Sequence, residues 1–325
     1  MRVVINYSVL LIIIIFSGCN LSTDTEVFRI KDGRLTDAHG QVFVIRGMNM
    51  PHAWFPEKSY HALDELVKYN VNCVRIVWEA DIAVDDLHKI VERCIDLQMI
   101  PMIELHDATG DSTDAKLLDM VQYFVSDEMQ SLVHRYERYL LLNIANEWGN
   151  HNTTDEYWRD AYKKTIAQMR QAGYKTTIVI DAPGWGQNMS PVIRYGQELL
   201  DFDPQHNLLF SVHMYGSWND DTQIESELTK AQYLHLPIIV GEFGYNYNNG
   251  DNNLGCKVNH RRVLEVCDDL EIGYLPWSWT GNNKENQWLD IVSIEDWKSL
   301  TEWGEEILLA SKGIKETAKK ATVFK

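Results

Sequence analysis

The chain has 325 residues, 45% of them hydrophobic and 24% charged, the balance of a soluble globular protein long enough to bury one large core. Its formal net charge of −17 sets nucleic acid aside as a partner, because binding phosphates needs a basic surface. Eleven Trp and fifteen Tyr supply many flat apolar faces of the kind that stack on sugar rings.

Arg2 precedes the apolar run 9–16 (VLLIIIIF), which leads into Ser17-Gly18-Cys19. That run is far shorter than the roughly 20 residues of a membrane-spanning helix and reads as the core of an export signal. Two small residues before a Cys resemble a bacterial lipobox. Residues 1–19 are therefore expected to form a signal with cleavage before Cys19, a lipid on Cys19, and a tether over residues 20–27. Such a chain is exported and meets a membrane, in the periplasm or at the cell surface, only through its lipid anchor. An ordinary cleaved signal peptide and a freely secreted chain are the alternative.

Residues 28–44 look like a β-hairpin cover, with turn signals at Asp32-Gly33 and His39-Gly40. Eight short apolar runs follow, at residues 44–50, 73–78, 100–106, 139–147, 177–183, 208–215, 237–243 and 273–279. Amphipathic stretches separate them. Leu87, Ile90, Val91 and Cys94 recur at helical spacing behind Asp85 and Asp86, whose charges suit a helix N-terminus. Tyr157, Ala161, Ile166 and Met169 do the same behind the capping residues Thr153-Thr154-Asp155. Residues 296–310 supply the last helix. Strand and helix in eightfold alternation predict an α/β fold, a (β/α)8 TIM barrel over residues 28–325 as one domain. A doubly wound open sheet would carry a glycine-rich phosphate turn after its first strand, where this chain reads Arg46-Gly47-Met48-Asn49-Met50-Pro51-His52.

Cys73, Cys94, Cys256 and Cys267 form no CxxC pair, which argues against a zinc or redox motif. Cys256 and Cys267 read as one helix, whose rise would hold them about 16 Å apart and forbid a disulfide. Buried free thiols are expected.

In a β/α barrel the active site lies at the C-terminal ends of the strands. Arg75, His106, Asn146, Glu147, Asp181, His213, Tyr215 and Glu242 all fall there, with Trp277 and Trp279 on the last strand. Buried polar groups are costly unless paired, so eight converging at one end point to a site rather than to structure alone. Glu147 and Glu242 end otherwise apolar strands on opposite sides of the mouth. A facing carboxylate pair is what glycosidic cleavage requires: one protonates the leaving oxygen, the other attacks or activates water. The charge on Glu242 should also raise the pKa of Glu147. A metal is not expected, because neither His106 nor His213 has a partner at ligand spacing except Asp107, which should point away from His106 in a strand. No cofactor is implied.

Seven runs carry a resemblance: 46–55 (RGMNMPHAWF), 104–110 (ELHDATG), 143–148 (NIANEW), 181–187 (DAPGWGQ), 212–215 (VHMY), 241–244 (GEFG) and 276–282 (PWSWTGN). Together they resemble glycoside hydrolase family 5, and more narrowly the bacterial endo-β-1,4-mannanases of that family, from residue 28 to the C-terminus. The resemblance implies a retaining double displacement with carboxyl groups about 5–5.5 Å apart. It makes Glu242 the nucleophile, steadied by Arg75 and Tyr215, and Glu147 the general acid and later the base. Asn146 would contact the sugar 2-hydroxyl and the nucleophile. His106 and His213 would wall the central sugar site, with Trp277 or Trp279 as its floor. Trp54, Trp148 and Trp185 match family positions for further sugar subsites. Trp218 and Trp288 lie in loops and are open to either role, while Trp158, Trp297 and Trp303 sit in helical stretches and should pack. The implied partner is a polysaccharide, β-mannan, glucomannan or galactomannan, cut internally by a monomer. Rival readings are a β-1,4-glucanase of the same family and a surface lipoprotein that binds glycans without cutting them.

Overall fold

The structure, a computed structural model, describes residues 26–325, so the leader and Cys19 lie outside the described residues. A hairpin of β1 (Arg29–Lys31) and β2 (Arg34–Thr36) comes first, antiparallel around Asp32-Gly33. Eight strands then pair in parallel in chain order: β3 (Gly47–Met50), β4 (Cys73–Trp78), β5 (Ile100–Leu105), β6 (Leu141–Asn143), β7 (Thr177–Asp181), β8 (Leu208–Met214), β9 (Ile238–Phe243) and β10 (Gly273–Tyr274). Tyr274 bridges in parallel to Arg46 and donates its N–H to the Ile45 carbonyl at 3.0 Å, which closes the sheet into a ring.

Helices follow the strands and cover the ring: α1 (Pro56–Lys68), α2 (Val84–Asp96), α3 (Asp114–Phe124), α4 (Asp127–Tyr136), α5 (Asp155–Gln171), α6 (Ser190–Phe202), α7 (Asp221–Tyr233), α8 (His260–Asp269), α9 (Glu302–Leu308) and α10 (Ile314–Thr317). Their inner faces follow the spacing in the sequence. Helix α2 buries Leu87, Ile90, Val91 and Cys94, with Asp85 and Asp86 in its first turn. Helix α5 begins where its capping residues predict, with the Thr154 hydroxyl accepting the Tyr157 N–H at 3.2 Å.

Three expectations are corrected. The helix expected over 296–310 is α9, which starts only at Glu302, capped by Thr301, and is followed by α10; Trp297 sits in the preceding turn at φ +60°. Cys256 is not on a helix with Cys267, because α8 begins only at His260, so helical rise is no bar between them; all four cysteines described are nevertheless free and buried. The strands are also shorter than the apolar runs. The run 139–147 contributes only Leu141–Asn143, and the run 273–279 only Gly273–Tyr274. The rest of each run builds the mouth.

Inside the barrel, two-residue alternation stacks two layers. Cys73, Met102, Leu141, Val179, Leu209 and Ile239 belong to the lower core, which Phe28 and Phe43 of the hairpin segment plug from below in an edge-to-face pair at 5.4 Å. Ala321 and Val323 join this plug from the C-terminus. Two residues further along each strand stand Arg75, Glu104, Asn143, Asp181, Ser211 and Gly241, an upper layer that is almost wholly polar.

Candidate active site

Arg75 is the centre of the upper layer and fully buried. Its guanidinium donates to Asn143 at 2.9 Å, Asn49 at 3.0 Å, Asn146 at 2.7 Å and Glu242 at 2.8 Å. Glu104 and Asp181 lie 3.6 Å away on either side. Burial works to lower its pKa, but the surrounding carboxylates, Glu104 first and then Glu242, outweigh it and push the pKa above the ordinary arginine value. A planar fork of five donors suits this position, because it holds four acceptors at once, from β3, from β6 and its end, and from β9.

Glu242 receives a bond on each oxygen, from Arg75 on one and from the Tyr215 hydroxyl at 2.9 Å on the other. Its aim depends on a bulge. The register between β8 and β9 runs Val212 to Val240 and then His213 to Glu242, so Gly241 is the extra residue. A Cβ on Gly241 would lie 2.1 Å from the Ser211 hydroxyl and 3.1 Å from the His213 ring, which is why glycine precedes this glutamate.

Glu147 leaves β6 through a left-handed backbone, φ +47°, which is costly for a non-glycine residue and must be held by its surroundings. Its N–H donates to Asp181 at 3.0 Å, and its carbonyl accepts from Gly110 at 3.1 Å. One carboxyl oxygen lies 2.9 Å from Nδ1 of His213. Burial, then Glu242 and Asp181, raise the Glu147 pKa well above the usual carboxylic range. The expected repulsion by Glu242 is present, but burial is the larger cause. Burial also pushes His213 down to about 3, so its imidazole is neutral and does not draw the proton off Glu147 by positive charge.

The cleft above these groups has a volume of about 660 Å³ and includes His106, Asn146, Trp185, Tyr215 and Trp277 in its lining. His106 faces Trp277 in a near-parallel stack at 5.7 Å, and Trp54 meets its edge at 5.2 Å. Trp277 is held by its indole N–H, which donates to Asn282 at 2.9 Å. Trp54 is 41% exposed and donates to Glu79 at 2.8 Å, leaving a ring face open. Burial lowers the His106 pKa, but the Glu104 carboxylate, 3.0 Å from Nδ1, outweighs it and the net shift is upward.

Two tryptophans expected in the site are elsewhere. Trp148 is fully buried, donates to the Thr113 carbonyl and packs on Tyr157 and Tyr162. Trp279 is also fully buried, with its N–H on the Trp297 carbonyl. Strand pairing ends at Tyr274, so strand alternation does not place Trp279 on the face of Trp277. Trp218 is buried as well. Glu104, Asn49 and Asn143 were not singled out from the sequence, although strand alternation puts each on the inner face with Arg75.

Contrary to the expectation from spacing, His106 has a carboxylate partner, Glu104 two residues earlier, 3.0 Å from Nδ1. Glu147, His213 and Glu242 place ligand atoms within 4.8 Å of one another and are the described residues able to hold an ion. Arg75 and Tyr215 already occupy both Glu242 oxygens, however, and a guanidinium 2.8 Å away opposes a dication electrostatically.

What the arrangement can do is grip a hydroxyl-rich ring on aromatic faces and present two glutamates to one of its bonds, the equipment of a barrel glycoside hydrolase. Residues 36–283 match the family Cellulase (glycosyl hydrolase family 5). The chain belongs to glycoside hydrolase family 5. It is 34% identical over 306 residues to a mannan endo-1,4-beta-mannosidase of Salipaludibacillus agaradhaerens, covering 91% of this chain and 96% of that protein. The solved β-mannanase from Thermomonospora fusca superposes with a TM-score of 0.85 at 32% identity, over 92% of this chain and 99% of that one. A mannohexaose complex of the Thermomonospora fusca enzyme superposes with a TM-score of 0.84 at 33% identity, over 92% and 99%.

Proposed function

We propose that this protein is an endo-β-1,4-mannanase that works by a retaining double displacement. The observation that carries the mechanism is the Glu147–Glu242 pair, whose nearest oxygens lie within 4.8 Å. Nearest oxygens run shorter than the separation of the carboxyl groups, and a contact within 4.8 Å accords with the roughly 5–5.5 Å of retaining enzymes. The mannan assignment is supported by the relatives above, which cover nine-tenths of the chain.

A Glu242 oxygen attacks the anomeric carbon while the bond to the leaving sugar breaks, and the Glu147 proton passes to that sugar's oxygen. Arg75 and Tyr215 hold the attacking carboxylate in place. Esterifying Glu242 removes its charge, one of the causes that raise the Glu147 pKa. Glu147, now a carboxylate, takes a proton from water, whose oxygen displaces Glu242 from the anomeric carbon. Asn146 lines the cleft with one amide hydrogen committed to Thr109 at 2.8 Å, leaving the other for the sugar 2-hydroxyl. Trp277 and His106 flank the central sugar, with Trp54 and Trp185 extending the aromatic surface on either side.

A monomer suffices for this activity, because one chain completes the cleft. It is exported and anchored by a lipid on Cys19, a reading supported by the apolar run and Ser17-Gly18-Cys19. Incubation with unbranched mannan, glucomannan, carboxymethyl cellulose and xylan, with product sizing, tests the activity. Internal cutting of mannan is expected; new reducing ends from cellulose but not from mannan would overturn the assignment.

A further inference from the structure

Beside the catalytic cleft lies a second groove of the same size, about 660 Å³. The two share His151, Gln187 and Ser217, so one opens into the other. The positions of these residues say which end of the substrate the groove serves. Trp54, His106 and Trp277 follow β3, β5 and β10, on one side of the mouth. His151 follows β6, Gln187 follows β7 and Ser217 follows β8, on the other side and beyond Glu147. Since Glu147 protonates the leaving oxygen, the sugar departing on cleavage extends toward the second groove.

The two clefts differ in chemistry. Trp54, Trp185 and Trp277 offer ring faces to the backbone, whereas the second groove has no Trp, Tyr or Phe in its lining. Its apolar floor is small, Met189 and Ile193, and its wall on α7 carries Gln223, Glu227 and Lys230. None of these three makes a side-chain hydrogen bond or ion pair within the described protein, nor does the Gln187 Nε2 or the His151 ring. Donors and acceptors of both signs, unspent and without a stacking platform, suit hydroxyls presented by a unit that leaves the plane of the backbone. We propose that this groove is a side-branch site, which takes a hexosyl branch carried by a backbone sugar on the leaving-group side. The proposal rests on the mannanase reading above.

The test compares kcat/KM on unbranched mannan and on galactomannan for the wild type, for Glu227→Ala/Lys230→Ala, and for Gln223→Trp, which fills the groove from α7. All three positions face solvent or the groove, and melting curves report whether each variant folds. The expected result is a loss of at least tenfold on galactomannan, about the contribution of one hydrogen bond to a charged group, with the value on unbranched mannan within twofold of wild type. Equal losses on both polymers would show that the groove holds backbone and overturn the branch site. No change on either polymer would put the groove outside the substrate's path and overturn it as well. A wild type inactive on unbranched mannan would instead remove the mannanase reading on which the site depends.

Discussion

Replacing Arg75 by Lys keeps the charge and removes the fork. The guanidinium bonds four acceptors, Asn49, Asn143, Asn146 and Glu242, from three nitrogens. An ammonium is a single donor centre on a shorter reach, and attraction to Glu242 will draw it to one side. At least two of the three Asn oxygens then lose their partner in a fully buried layer. Each orphaned acceptor costs about 1–3 kcal/mol, so the loss is about 2–6 kcal/mol. An unfolding entropy near 2.1 cal/mol/K per residue over roughly 300 residues converts each kcal/mol into about 1.6 °C of Tm. Calorimetry of Arg75→Lys should therefore show a fall of about 3–10 °C, and initial rates on mannan a kcat at least tenfold down, about 1.4 kcal/mol, as Glu242 loses its fixed partner. A variant melting within 1 °C of wild type with kcat intact would refute the view that Arg75 organises this layer through its geometry rather than its charge.

Glu147→Gln separates the acid from its electrostatics. The folded pKa of Glu147 is raised, so the wild type loses stability as pH climbs above the ordinary glutamate value of 4.5, because the unfolded chain releases a proton that the folded chain still holds. The Gln variant has no such proton; its Tm should match wild type in acid and gain on it with rising pH, and the reverse trend in a pH series would contradict the assignment. Glu242→Ala should abolish hydrolysis, and added azide should restore turnover of an activated aryl β-mannoside with an α-mannosyl azide as product, readable by NMR; a β-configured product would exclude Glu242 as nucleophile. The tryptophans should divide by burial. Trp148→Ala is expected to cost about 3–5 kcal/mol, or about 5–8 °C of Tm, while Trp54→Ala, at a 41% exposed position, should raise KM and leave Tm within about 1 °C.

The residues legible in the sequence were those that interrupt an apolar run at its end. Glu147, Glu242 and His213 stand out because little else explains a charge or a ring nitrogen there; Arg75 lies inside its run and stands out because a full positive charge does not pass for strand filler, and all four meet at the mouth. Glu104 and Asn143 lie inside their runs and pass for strand filler until period-two alternation is followed inward from Met102 and Leu141. Trp148 is placed by the resemblance alone, and burial on Tyr157 and Tyr162 takes it out of the cleft. Trp279 shares the face of Trp277 only if alternation extends past Tyr274, where strand pairing stops and loop geometry governs direction. Cys256 failed in the same way, as helical spacing was read across a loop. Periodicity informs only as far as the hydrogen-bonded element reaches, and active-site loops begin where it ends.

Phe28 near the start of the described chain and Val323 near its end sit in one cluster beneath the barrel, at the pole opposite Glu147 and Glu242. The molecule is thus a cup with both handles on its base. Whatever is joined to either terminus, whether a lipid, an affinity resin or a fused domain, holds the base and leaves the rim facing outward. A long, stiff polysaccharide can then sweep across the opening without colliding with the support, which a terminus beside the cleft would not permit.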